Sequence, residues 1–211
     1  MSHAQLMERG FEENLCSELA QRGWLYEGDG KPTGWDVGLA MVPADALHWL
    51  ATQYPDEYEK AVPGDLVGEG RSEAERKLLE HITRELAKAT RMDPTTGHPV
   101  GGLLGVLRKG FSYAQIGRPA AKFGPMMAFP PANPNLTEVV EAAETVRLRI
   151  LRQVRFDTKT NESIDVVLLA NGLPVVTMEL KTDNTQSVNH AIRQYKEDRK
   201  PGRSRPLLAP G

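Results

Sequence analysis

Two apolar runs, residues 164–170 and 173–180, are separated only by Asn171-Gly172, and this pair constrains the fold more than any other feature of the chain. Both positions of a tight two-residue hairpin loop need a left-handed backbone, which Asn-Gly tolerates best. The flanking runs are rich in Val, Leu and Ile, the residues that suit strands covered by other structure. The segment therefore reads as an antiparallel hairpin inside a sheet. Asp165 stands in the first run, Glu179 near the end of the second, and Lys181 just beyond it. A charge is costly to bury unless something compensates it, so charges placed in an otherwise apolar hairpin point to a site.

The chemistry these groups suit is metal-assisted phosphodiester cleavage. Two carboxylates can fix Mg²⁺, which demands oxygen ligands at about 2.0–2.1 Å. The ion activates water, and a nearby lysine meets the charge that develops on the phosphoryl oxygens. Glu179 and Lys181 lie two apart and share one face of a strand. Asp165 sets a condition. A strict two-residue turn places it opposite Met178, facing away from Glu179; one bulge, or a three-residue loop, restores a shared face. A regular hairpin would count against the metal pair. The competing reading is an ordinary salt-bridged sheet edge, since an acid two residues before a lysine is common.

Around the hairpin, helical spacing predicts an amphipathic helix over residues 6–22 with Phe11, Leu15 and Leu19 as its apolar stripe and Gly23 as its stop. Residues 24–26 start a short strand or loop. Residues 43–60 read as one or two helices interrupted at Pro55. Ser72 followed by Glu75 reads as a capping box opening a helix that carries Leu78, Leu79, Ile82 and Leu86. Residues 103–107 form a short helix or strand. Residues 117–134 are dense in Pro and Gly and are expected to be irregular. Thr137 caps a helix to about Thr145, and residues 146–156 form a strand. Residues 187–199 read as a helix with Val188, Ala191, Ile192 and Tyr195 on its buried face.

With 211 residues the chain can hold one sizeable core. A net charge of −2 gives no global attraction to nucleic acid. Residues 181–205 are different, with seven basic and three acidic side chains. The single cysteine, Cys16, excludes a disulfide framework and a cysteine zinc cluster. No apolar stretch is long enough for a membrane span, and no leader pattern opens the chain, so a cytoplasmic location is expected. The histidines are too scattered for a zinc site. Trp24, Trp35 and Trp49 suit the core better than base stacking. No phosphate-binding G-x-x-x-x-G-K-[ST] run occurs.

Residues 162–181 and 188–199 resemble the N-terminal nuclease domain of type I restriction enzyme R subunits. Residues 148–156, with their Leu-Arg-x-x-Arg-Gln start, are similar to the strand before that hairpin, and residues 133–136 and 101–111 to earlier family segments. The resemblance extends over residues 5–207 and is strongest over 145–201. It implies an α/β, restriction-endonuclease-like PD-(D/E)xK fold, a mixed central sheet flanked by helices. One nuclease-like domain, 1–211, would comprise a helical part over 1–100 and a catalytic sheet core over about 101–200. Asp165, Glu179 and Lys181 match the family's catalytic positions, Asp165 and Glu179 holding Mg²⁺. Glu12 matches the acid its first helix often supplies, with Glu13 second and a solvated helix acid the plain alternative. Many superfamily members place a glutamine four residues before a helical tyrosine. Here Tyr195 has Ala191 at that position, leaving Gln186 or Gln194 to organise the site or touch DNA. Arg193, Lys196 and Arg199 are candidates for phosphate contacts.

The resemblance also implies double-stranded DNA as substrate and the methylation (M) and specificity (S) subunits as partners. ATP would act only through motor domains that family members carry and this sequence lacks, so the chain reads as truncated. Three functions compete: the Mg²⁺-dependent endonuclease module of a type I restriction complex, an inactive DNA-binding or assembly domain of the same fold, and a standalone nuclease of that fold.

Overall fold

The computed structural model describes residues 3–28, 32–97, 99–133, 135–180, 193 and 204–208. In chain order the elements are α1 (His3–Gln21), α2 (Pro43–Gln53), α3 (Pro55–Ala61), α4 (Gly68–Leu86), β1 (Arg91–Met92), β2 (Pro99–Val100), α5 (Gly102–Lys109), β3 (Phe111–Tyr113), β4 (Ala121–Phe123), α6 (Thr137–Glu144), β5 (Leu148–Arg155), β6 (Ser163–Ala170), β7 (Leu173–Met178) and a 3₁₀ turn, Pro206–Leu208. The chain is a mixed α/β protein whose described strand pairs are all antiparallel. They form two two-stranded sheets, β1-β2 and β3-β4, and one three-stranded sheet, β5-β6-β7. Among the described residues, the parallel pairing that the expected mixed sheet calls for is an isolated bridge, Leu25 to Arg149.

The chain forms two compact units, residues 1–41 with 147–209 and residues 42–146. The units thus fall differently from the expected division near residue 100: α1 belongs with the sheet. In the first unit α1 contains no proline and no β-branched residue, so little opposes the helix. It stops at Gly23, whose φ is +92°. Gly23 N–H donates to the Ala20 carbonyl and Trp24 N–H to that of Leu19, which together cap the last turn. Leu19 and Trp24 then both pack against the core formed by Cys16, Ile150, Val166 and Leu168. The chain next runs beside β5, where Leu25 N–H donates to the Leu148 carbonyl at 2.8 Å and Ile150 N–H to that of Leu25 at 2.9 Å. Each fully buried aliphatic side chain here contributes about 1.5–3 kcal/mol. The expected stripe of α1 is rotated from its reading: Phe11 is 60 % exposed, and Glu12 and Cys16 lie deepest.

In the second unit, Pro43 and Pro55 each open a helix, since a first-turn proline lacks only an N–H that would have no helical partner. The expected capping box does not form. Helix α4 already begins at Gly68, so Ser72 lies inside it and its hydroxyl donates back to the Gly68 carbonyl. Glu75 instead accepts from Arg71 and from the Tyr58 hydroxyl. Thr137 is likewise already helical, with Leu136 as the cap residue. Within 117–134, expected to be irregular, β4 pairs with β3, and the Phe111 and Phe123 rings pack 5.0 Å apart. Gly110, with φ +78°, makes that approach feasible, because a Cβ there would run into the Phe123 and Gly124 carbonyl oxygens.

In the first unit the 204–208 segment returns to the β5–β6 connection. Thr158 N–H donates to the Ser204 carbonyl. Arg205 bonds buried Asp157 at 2.7 Å, reaches Glu162 at 3.3 Å and lies over the Phe156 ring. The Arg205 guanidinium, with the Lys159 N–H, holds the Asp157 carboxyl below its ordinary range. A lowered acid stabilises the fold above its unfolded value and loses that contribution as pH falls through its folded value. The stability difference between wild type and Arg205→Ala should therefore be constant near neutrality and shrink below about pH 4. Urea unfolding of both proteins across that range checks it; a difference independent of pH would remove the Asp157–Arg205 pair as its source.

Candidate active site

The hairpin turn is the two-residue Asn-Gly loop expected: Ala170 pairs Leu173, and Asn171 and Gly172 have φ of +47° and +80°. Asn171 is buried and locked in place, its side-chain oxygen accepting from Arg147 N–H and its own N–H donating to the Arg147 carbonyl. The register then shifts. Leu169 pairs Pro174 but Leu168 pairs Val176, so Val175 is an extra residue in β7. Beyond this bulge Val166 pairs Met178. Continuing by one residue sets Glu179 across from Asp165.

Burial agrees with that register. Met178 and Leu180 both pack against the core of Cys16, Ile150, Val166 and Leu168. Glu179, between them, belongs to the opposite face by the alternation of the chain, as does Asp165 next to Val166. The bulge that the carboxylate pair required is present. Asp165 is half-buried; its Oδ2 accepts from Leu180 N–H at 2.7 Å, which ties β6 to the chain just past β7. Glu179 is half-buried.

On the helix-covered side, Glu12 is 5 % and Arg152 7 % exposed. Arg152 Nε donates to Glu12 Oε1 at 2.5 Å, and its Nη1 to the Tyr26 hydroxyl at 3.0 Å. Burial opposes the Arg152 charge, but the bonds to Glu12 and Tyr26 outweigh it and hold the guanidinium proton more firmly than usual. Burial also pushes the neighbouring Cys16 thiol up to about 11, so it stays protonated and apolar in character.

Gln153 connects the two sides. Its Nε2 donates to Glu12 Oε2 at 3.3 Å and to Asp165 Oδ1 at 3.4 Å, and its Oε1 accepts from Ser163 Oγ at 3.1 Å. Sequence reasoning missed Arg152 and Gln153. A signal was available: Arg152 falls in phase with Ile150 and Val154, the inward positions of β5, and an inward cation requires a buried anion.

The bulged register, continued one residue past β7, thus assigns Asp165 and Glu179 to one face by strand alternation, and Gln153 links Asp165 to Glu12. Glu13 is exposed. Lys181, Gln186, Gln194, Tyr195, Lys196 and Arg199 lie outside the described residues, as does most of the predicted 187–199 helix; Arg193 is helical and exposed. Among the described residues no group of three or more His, Cys, Asp or Glu side chains could hold a metal ion. Asp165 and Glu179 fit Mg²⁺ as a hard-oxygen pair, a set that the ion completes with waters or substrate phosphates. Glu12 fits less well, because Arg152 already occupies it. Among the described residues no helix is long and apolar enough to cross a membrane.

An antiparallel hairpin with a bulge at Val175, and a helix packed against one of its faces, make up the α/β unit that carries Asp165 and Glu179. Residues 140–210, which include β5, β6 and β7, match the family described as the type I restriction enzyme R protein N terminus. No curated protein and no solved structure matches the chain.

Arg152→Met should destabilise the protein by about 3–5 kcal/mol, because it leaves Glu12 buried without its cation. Adding Glu12→Gln should recover part of that loss. Urea unfolding of the two single variants and the double variant measures it; strictly additive losses would refute the pairing.

Proposed function

We propose that this chain is the nuclease module of a type I restriction-modification complex, hydrolysing DNA phosphodiester bonds with Mg²⁺ on a PD-(D/E)xK fold. The observation that supports the reading is the Val175 bulge, whose register, continued one residue past β7, would bring Glu179 opposite Asp165 within the segment that matches the R protein N terminus. Asp165 and Glu179 would hold the ion; the Leu180 N–H at Oδ2 and the Gln153 amide at Oδ1 orient the Asp165 carboxylate. When bound, Mg²⁺ would supply Lewis acidity at the phosphoryl oxygen and lower the pKa of a bound water, so that the water loses a proton and acts as a hydroxide nucleophile. Lys181 would meet the charge that builds on the phosphoryl oxygens; Arg193, Lys196 and Arg199 would meet backbone phosphates, and Gln186 or Gln194, with Tyr195, would organise the site or touch DNA. The partners are double-stranded DNA and the M and S subunits, in the cytoplasm. ATP would act through motor domains of a full R subunit, and site choice would rest with the partner subunits.

One observation favours a second reading, an assembly or DNA-binding domain that does not cut: Glu12, the helix acid, is neutralised by Arg152. Calorimetric titration with Mg²⁺ and Mn²⁺, run with plasmid cleavage, separates the two. Asp165→Ala and Glu179→Ala should each weaken metal binding by about tenfold or more and abolish cleavage, whereas Lys181→Ala should keep the metal and lose cleavage. A folded wild-type chain that binds neither ion would overturn the nuclease reading and leave the binding domain.

A further inference from the structure

The pairing of β5 with β6 is regular, Arg152 with Val166 and Val154 with Ile164, yet the pair between them, Gln153 and Asp165, does not join the ladder. Gln153 has φ +49°, left-handed backbone for a residue with no special tolerance of it. Strain of this kind persists only where the surroundings impose it, and it concentrates at functional sites. Its immediate effect is on direction. Strand alternation assigns Gln153 to the side of Ser163 and Asp165, away from α1. Its amide nitrogen nonetheless reaches Glu12 of α1 as well as Asp165.

The chemistry of the bridge is specific. A glutamine amide offers two N–H donors and no charge. It can satisfy two carboxylates at once and relieve their repulsion without neutralising either. The Ser163 hydroxyl, donating to Oε1, fixes which way the amide faces, so that the nitrogen points at the acids. Arg152 holds Glu12 from its other oxygen. The helix acid is therefore held by a cation on one side and coupled to the sheet acid on the other.

Resting on the nuclease reading for its role, we infer that Gln153 is a positioning residue that couples Glu12 to Asp165, so that the helix acid orients the metal-binding carboxylate across the strained turn of β5. Sequence position alone gives it no such role; the left-handed backbone and the three side-chain bonds of its amide do.

The test is a double-substitution cycle on stability, Glu12→Gln against Asp165→Asn, measured by urea unfolding in two backgrounds, wild type and Gln153→Met. In wild type the two acids should be favourably coupled. With methionine, which keeps length but has no amide, that coupling should vanish or turn repulsive. The same coupling in both backgrounds, zero included, overturns the inference whatever the metal does. Should Gln153→Met fail to fold, Gln153→Gly takes its place, since glycine accepts the left-handed backbone. A second measurement joins the bridge to the site. Gln153→Gly, which accepts the left-handed backbone but has no amide, should stay folded yet bind Mn²⁺ about tenfold more weakly. Unchanged Mn²⁺ affinity in a folded Gln153→Gly would leave Gln153 without a positioning role. Wild-type Mn²⁺ binding tests the nuclease reading alone, and the cycle tests the bridge alone, so the two can fail separately.

Discussion

Side chains on a strand alternate with a period of two, and in β7 a single extra residue decides which of them face together. Without Val175 as an insertion, Met178 would stand where Glu179 stands now, and an apolar side chain would meet Asp165. With it, Met178 and Leu180 remain on the core side, and alternation assigns the acid between them to the face of Asp165. The bulge follows three residues behind a turn locked by Asn171, so the loop fixes one register and the bulge converts it into another. Everything proposed for the site depends on that conversion.

The attachment of α1 to the sheet combines two kinds of force. Cys16, Leu19, Ile150, Val166 and Leu168 supply non-directional attraction, which many helix placements would satisfy about equally. The Glu12–Arg152–Tyr26 bonds are directional. A buried ion pair adds little net stability, but any placement that separates the partners leaves a charge buried alone. The apolar contacts hold the helix on the sheet, and the polar ones set its rotation and its position along its axis.

That division explains what could be read from the residues. The hairpin, its turn, the strand before it and most helices were legible, because each has a local signal: Asn-Gly, apolar runs, helical spacing, Pro at a helix start. The need for a bulge was legible too, since it follows from counting residues between Asp165 and Glu179. The bulge's place at Val175 was not, because competing pairings of an apolar run differ only in three-dimensional packing. The apolar stripe of α1 was misread at Phe11, where the buried line passes through Glu12; an ion pair 140 residues apart in sequence overrides the hydrophobic pattern. Ser72 misled for a related reason, since a helix supported by packing through Leu78 and Ile82 can begin before its best cap. Gln153 carried no local signal, because a left-handed glutamine is favoured only by its surroundings.

The placement of the tryptophans gives the two units different optical identities. Trp24, packed on the Cys16 core, and Trp35, whose ring N–H donates to the Arg155 carbonyl at 2.9 Å, belong to the unit built on β5, β6 and β7. Both are half-buried. Trp49, the third of three in the sequence, belongs to the other unit; it is 3 % exposed, and its ring N–H donates to the Pro125 carbonyl. Emission from a buried indole lies to the blue of emission from a partly hydrated one. Early and late wavelength shifts during unfolding therefore carry different addresses: the blue component reports on the helical unit, and the red component on the one with the carboxylates.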